Sequence, residues 1–298
     1  MITKEATVVA PAPERVAPEA PGPAKRRRAW DEAPRWQIYL PLSIYLLFTL
    51  IPFYWILLFA LRPAGSTSLV PWPMTFDHFE KVWTERSFGT YFQNSVLIGV
   101  ATLVLTTIVA LAGGYALARF DFKAKRAFML ALLCSQFVPG ALLLVPLFQI
   151  FAKLQMINSL GSVILAETVF QLPLSMILIS GFIRNVPYSL EEAAWVDGCT
   201  RFTAFRIVVL PLLRPGLIAV GSFAFVHAWN HFLFALMFLS DQSKQTIPVG
   251  LNTLMSSDSV DLGALAAGGI IAAVPVVIVF AFIQKWLITG FSAGAVKG

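Results

Sequence analysis

Residues 95–118 read SVLIGVATLVLTTIVALAGGYALA, with no Asp, Glu, Lys or Arg among them. A bilayer core about 30 Å thick is crossed by about 20 apolar residues in helical form. A helix is one of the few structures that satisfies its own backbone polar groups in lipid. The stretch therefore predicts a transmembrane helix. Five more segments have the same character, at 38–61, 127–151, 161–183, 215–239 and 262–288. Within all six, the only acidic or basic residues are Glu167 and, near the end of the last, Lys285. The short alternating segments of a β-barrel are absent. The expected fold class is an all-α membrane protein with six transmembrane helices.

Composition agrees. The chain is 57% hydrophobic and 13% charged, against about 25% charged for an ordinary soluble domain. So few charges cannot clothe a water-soluble surface, and the mean hydropathy is +0.74. The two cysteines, Cys134 and Cys199, form no metal-binding or disulfide pattern and are expected to be small buried or half-buried residues.

Orientation follows from the basic residues, because Lys- and Arg-rich loops stay cytoplasmic. With the N-terminus inside, seven lie on the tail before the first span, four at 119–126, four at 184–214 and two at 285–297. The opposite side holds three at 62–94, one at 152–160 and one at 240–261. Seventeen against five puts both termini in the cytoplasm. The formal charge of +6 is thus a topology signal, with no nucleic-acid partner implied. Residues 1–36 have the Ala-, Pro- and charge-rich composition of a disordered cytoplasmic tail. Its Lys25–Arg28 cluster anchors the first span. That span is too long for the apolar core of a cleaved signal.

Prolines fall inside the spans at Pro139, Pro146, Pro173 and Pro275. They would break helices in water, but a membrane bundle tolerates them and the kinks often line cavities. Gly113, Gly114, Ala118, Ala264, Gly268 and Gly269 permit close packing of helices.

The loop at 184–214 carries the functional signal. Ser189 and Glu192 form an S-x-x-E capping box, which predicts a short helix from Leu190. Glu191 and Glu192 fall in its first turn, where the helix dipole favours them. Gly198 predicts its stop, and Thr200 a second helix to Leu210, redirected by Pro211 and Pro215. Leu190, Ala193 and Ala194 share one face, with Trp195 beside them. A small apolar face in a polar loop predicts a surface for a partner.

Glu192-Ala193-Ala194, three residues, Gly198, nine residues, then Val208-x-Leu210-Pro211 resembles the EAA loop of ABC importer permeases. Val208, in place of the usual Ile, is a conservative departure. The resemblance extends over roughly 36–298 and includes Asn94-Ser95, the segment Leu154–Gly161, Trp229-Asn230 and the terminal Gly294–Gly298. These features resemble the carbohydrate-uptake, maltose-type branch. The resemblance implies a prokaryotic inner-membrane, multi-pass subunit and a coupling helix that enters a groove on a separate ATPase. Glu191, Glu192, Ala193, Ala194, Trp195, Asp197, Gly198, Leu210 and Pro211 would form that docking loop. Glu192 would meet the ATPase by charge-assisted hydrogen bonds, and Gly198 would make the turn. The implied partners are a second permease subunit, two ATPase subunits that bind ATP and Mg, an extracytoplasmic solute-binding protein and a sugar-like solute. The chain has no G-x-x-x-x-G-K-[ST] phosphate loop, so it is expected to be no enzyme and to hold no cofactor of its own.

Polar side chains within spans are candidates for a solute path, since lipid penalises them by several kcal/mol. They are Gln136, Gln149, Glu167, Gln171, His227, Asn230 and His231. His227 and His231 have the i, i+4 spacing of metal ligands, but no H-E-x-x-H arrangement or third ligand accompanies them. Satisfied positions in a cavity or between helices explain them better, and Glu167 could pair with one of them or with a residue of a partner subunit. Two further classes fit the residues less well. An ion-coupled secondary transporter needs intramembrane carboxylates or broken helices in related repeats, and only Glu167 offers itself. A membrane enzyme lacks any paired carboxylates or nucleophile constellation. The residues do not name the solute.

Overall fold

The computed structural model describes residues 35–256 and 260–295, with side chains for 36–256 and 260–285. The expected tail at 1–36 lies outside these apart from its last two residues. Gly294–Gly298 lies partly outside them too.

The regular structure of the described residues is helical, and its element order sets out the bundle. The helices are α1 (Arg35–Leu61), α2 (Asp77–Thr84), α3 (Phe88–Arg119), α4 (Lys125–Ser135), α5 (Leu144–Lys153), α6 (Leu160–Arg184) and α7 (Tyr188–Val196). After them come α8 (Arg201–Ala204), α9 (Leu210–Leu212), α10 (Arg214–Asn230), α11 (Leu233–Phe238), α12 (Ile247–Met255) and α13 (Leu262–Ala295). The chain divides into a unit ending at Ile51 and a second running from Pro52 onward. The first holds the opening half of α1, apolar after Arg35 on every face. The second holds the rest of the bundle and is described below.

Four of the expected spans are single helices within α1, α3, α6 and α13, and two bent pairs raise the count to six. The expected third span, 127–151, is not continuous. α4 and the turn Gly140–Leu143 leading into α5 meet at 96°. Pro139 explains the elbow: it cannot donate to a helix, and it pushes Val138 out of the helical region. The expected fifth span, 215–239, is also interrupted. α10 stops at Asn230, and His231 is extended at φ −76°, ψ 118° before α11 begins. By contrast, Pro173 and Pro275 remain inside α6 and α13.

Lipid-facing helices gain little from the hydrophobic effect on meeting one another, so close packing of small residues holds them together. α3 lies along α6 and α10. A Cβ on Gly114 would stand 2.7 Å from Ile179 Cγ2 and 3.1 Å from the Ser180 nitrogen, so the two backbones meet through that missing side chain. Ile179, Ile183, Val209, Leu213 and Val220 form the core around this crossing. At the opposite end, Trp229 packs against Phe92 and Phe225 and donates its indole N–H to the Ala272 carbonyl at 3.0 Å, which ties α10 to α13. Gly269 has nothing near its missing side chain, so it contributes no close contact of the kind expected.

The connections at that end are knotted by short polar side chains. Asn158, at φ +60°, donates to Asp241 Oδ2 at 2.6 Å and accepts from the Ser240 and Asp241 N–H groups. Asn94 donates to the Ser243 and Gln245 carbonyls, and Ser95 Oγ accepts from Ile247 N–H at 2.9 Å. Cys134, expected to be buried or half-buried, is exposed, because α4 buries none of its residues; Cys199 is half-buried.

Candidate functional site

Two places gather the polar residues of the spans and of the loop. The first is the turn between α6 and α10. Its helix α7 starts at Tyr188, two residues before the expected position, and Ser189 makes no capping bond. Pro187 explains the shift: its ring fixes φ at −56° and sets the first turn, so Ser189 falls inside it. At the other end Gly198 adopts φ +86°, and the Gly198 and Cys199 N–H groups return to the Trp195 and Ala194 carbonyls. This is the left-handed helix stop that favours glycine. Thr200 then caps α8 by accepting from Thr203 N–H at 3.2 Å. A π-turn at Phe205–Val209 and the half-buried Leu210 and Pro211 lead into α10 through a 74° bend.

The two faces of α7 do different things. Ser189, Glu192, Ala193 and Val196 recur at helical spacing and are exposed, Val196 at 88%. Asp197 and Gly198 continue that surface, and Leu190 is exposed beside it. Ala194, expected on the apolar outer face, is only 8% exposed and packs inward. Glu191, expected to serve the helix dipole, is fully buried. Its Oε1 accepts from Arg119 Nε at 2.6 Å and its Oε2 from the Tyr115 hydroxyl at 2.7 Å. Arg119 also donates to the Val186 carbonyl at 2.9 Å and lies over the Tyr188 ring. Tyr188 in turn meets Trp195 edge to face, and Arg201 stacks on the outer side of that indole. Thus the inner face of α7 is bolted to the end of α3, and its outer face is free.

The second place is a groove of about 690 Å³ between α6 and α10, lined by Gln171, Leu174 and Leu178 from one helix and Phe223, Val226, His227 and Asn230 from the other, with His231 at the break. Beneath it Glu167 is fully buried. His227 Nδ1 stands 3.0 Å from Glu167 Oε2, and His231 Nδ1 2.7 Å from Oε1, the second contact lying off the ordinary hydrogen-bond direction. The two imidazoles stack with centroids 5.3 Å apart. The end of α10 at Asn230 makes this arrangement, since the extended His231 turns its ring back over the carboxylate. Of the residues expected on a solute path, the structure brings Glu167, Gln171, His227, Asn230 and His231 together. Gln136 lies exposed in the α4–α5 elbow and does not line the groove, and Gln149 is exposed on α5. Among the described residues no group of three or more His, Cys, Asp and Glu is arranged to hold a metal ion.

Residues 109–292 match the family described as the binding-protein-dependent transport system inner membrane component. The chain belongs to this family. Among its relatives is the diacetylchitobiose uptake system permease protein DasC of Streptomyces coelicolor, 36% identical over 83% of this chain and 91% of the relative. The arabinooligosaccharides transport system permease protein AraQ of Halalkalibacterium halodurans is also 36% identical, over 76% and 81%. The trehalose transport system permease protein SugB of Mycobacterium tuberculosis is 32% identical over 84% and 93%. A chain in the crystal structure of a bacterial ABC transporter that imports alginate shares the fold, with a TM-score of 0.71 at 20% identity over 85% of this chain and 98% of that one. The protein is thus an ABC importer permease, and the ion-coupled alternative is set aside. Of the expected E-A-A residues, Glu192 and Ala193 lie on the exposed face of α7 and Ala194 on the buried one, with Gly198 at the turn after them. Glu191 was readable as an acid beside the motif, but nothing in its spacing pointed to Arg119, 72 residues earlier.

Proposed function

We propose that this permease forms half of the translocation path of an ATP-driven importer for a carbohydrate, a di- or oligosaccharide or a related polyol. The reading as a carbohydrate carrier is supported by relatives whose names specify diacetylchitobiose, arabinooligosaccharides and trehalose. A second permease, a different chain, would complete the path. Two ATPase subunits would sit under the coupling helices, and an extracytoplasmic protein would deliver the solute. The membrane is the prokaryotic inner membrane, crossed six times with both termini in the cytoplasm.

The observation that carries this reading is the division of α7 into a bolted and a free face. ATP binding closes the ATPase pair and moves whatever rests in its grooves. A helix held only by its loop would tilt and absorb that motion. Here Glu191 and Arg119 join α7 to α3, and α3 is packed through Gly114 along α6, which carries the groove. Movement of α7 therefore reaches the solute path as movement of whole helices, the hinge-and-shear behaviour of packed elements. Glu192 and Ala193 remain free to meet the ATPase.

The test is purification of the tagged chain in mild detergent from its native cells, followed by mass spectrometry and transport assays in vesicles. Recovery of a phosphate-loop ATPase and a second permease, with ATP-dependent sugar uptake, supports the proposal. Recovery of the chain alone, moving solute on an ion gradient without ATP, would overturn it.

A further inference from the structure

The geometry points to a groove whose chemistry selects neutral, hydroxyl-rich solutes over anionic ones, with buried Glu167 acting as a positioning residue that sets the tautomer of the His227 imidazole. This inference rests on the reading of the groove as part of the solute path. A carboxylate can only accept hydrogen bonds, so the nitrogen facing it must carry the hydrogen. Both rings present Nδ1 to Glu167. His227, which is hydrogen-bonded to the carboxylate, is therefore an Nδ1–H tautomer when neutral, and its Nε2 is left as a lone-pair acceptor on a residue that lines the groove; His231 makes only a close charge contact with the other oxygen. Fixing one ring nitrogen through the bond made by the other is the same device that orients metal-bound histidines.

Asn230 adds to this bias. One N–H of its Nδ2 is engaged with the Val226 carbonyl at 2.9 Å, which leaves Oδ1 as an acceptor beside the second N–H. The groove thus offers the His227 Nε2 and an amide oxygen to incoming donors, and its amide donors, from Asn230 and Gln171, are uncharged. Sugar hydroxyls are donors and fit this set. Carboxylate, sulfate and phosphate oxygens are charged acceptors and meet only neutral amide donors there.

Net charge points the same way. Among the described residues no Lys or Arg lines the groove. With both rings neutral, the trio carries one negative charge, and with one ring protonated it is neutral; only double protonation makes it cationic. The exposed Phe223 ring and the Leu174 and Leu178 side chains supply an apolar wall for the C–H faces of a sugar.

Nitrogen-15 NMR of the assembled transporter in bilayers tests this directly. The chain has three histidines, and difference spectra against His227→Gln and His231→Gln assign the two that matter. The expected wild-type spectrum shows Nδ1 protonated and Nε2 unprotonated in His227. Trehalose, as a neutral probe, shifts its Nε2 signal, whereas glucuronate at equal concentration leaves it in place. Glu167→Gln puts His227 at least partly into the other tautomer and reduces the trehalose shift. An Nε2–H tautomer of His227 in the wild type would overturn the proposal, as would an equal response to glucuronate or no response to trehalose. The wild-type spectrum decides the tautomer even if Glu167→Gln fails to assemble. Whether an ATPase co-purifies is read on the same preparation, so failure of the importer reading is distinguishable from failure of the groove chemistry.

Discussion

Arg119 and Glu191 lie 2.6 Å apart with both side chains buried, one at the end of α3 and the other on the inner face of α7. Removing one member of a buried ion pair strands the other, at a cost of about 3–5 kcal/mol. Glu191→Ala is expected to lower the melting temperature of the assembled transporter and to leave ATP hydrolysis poorly coupled to uptake. Glu191→Gln, which keeps an acceptor for Arg119 or Tyr115, is expected to do less of both. Melting curves and the ratio of sugar imported to ATP hydrolysed check this, and a double-mutant cycle with Arg119→Ala gives the coupling energy.

Gly198 is the second point of control. Its φ of +86° strains any residue with a Cβ, although no atom lies within 4 Å of where that Cβ would stand. The penalty is therefore conformational, about 1–2 kcal/mol. Gly198→Asn should be tolerated better than Gly198→Val, because asparagine accepts the left-handed region. Loss of ATPase from the purified complex, with normal membrane insertion, is the expected result for Gly198→Val. Normal uptake with a normally bound ATPase would refute the coupling role.

Gly114 makes the opposite kind of demand, for space. Its Cβ would press on Ile179 and on the Ser180 backbone, and backbone cannot swing aside. Gly114→Leu should separate α3 from α6 and destabilise the bundle by about 1–3 kcal/mol or more. Thermal melting of the complex reports it, and Gly269→Ala, at a site with open space, serves as the neutral control.

Asp261 joins α2 to the start of α13 through Lys81 at 3.3 Å. Partial burial works against its charge, but the Ala264 N–H, the Lys81 ammonium and His78 together hold its carboxyl below the ordinary value of 3.8. A carboxyl lowered in the folded state stabilises fully above its unfolded value and loses that contribution as pH falls through the folded one. This anchor should therefore be constant from neutral pH down to about pH 4 and weaken only below that. Asp261→Asn should be less stable at neutral pH and show a smaller loss in acid. Melting curves of the two proteins across that range measure the difference, and parallel curves would contradict it.

Much of this architecture is legible in the sequence because lipid leaves the backbone few choices. Long charge-free runs such as 95–118 can only be helices there, and the Gly198 stop, the Thr200 cap and the Pro215 bend follow from local chemistry. The errors have local causes too. Pro139 breaks the third span where Pro173 and Pro275 leave theirs whole, a difference set by neighbours that sequence spacing does not display. Ser189 and Glu192 match a capping pattern, but Pro187 fixes the start of the helix first. At the site, i, i+4 spacing placed His227 and His231 on one side of a helix. What it could not show is that the chain turns at His231 and closes both rings on Glu167. The inward role of Glu191 was hidden for the same reason, since its partner comes from another helix. Asn94, Ser95, Asn158 and Trp229, noticed as resemblances, prove to be hydrogen-bonding anchors of the bundle.

The most direct test of the account compares two adjacent alanines. A photo-crosslinking amino acid is placed at Ala193 or Ala194, and the complex is illuminated in membranes. Ala193 is on the free face of α7 and Ala194 on the bolted one. The account predicts an adduct with the ATPase from position 193 and, from position 194, adducts within this chain alone. Equal ATPase adducts from both positions, or none from 193, would contradict it.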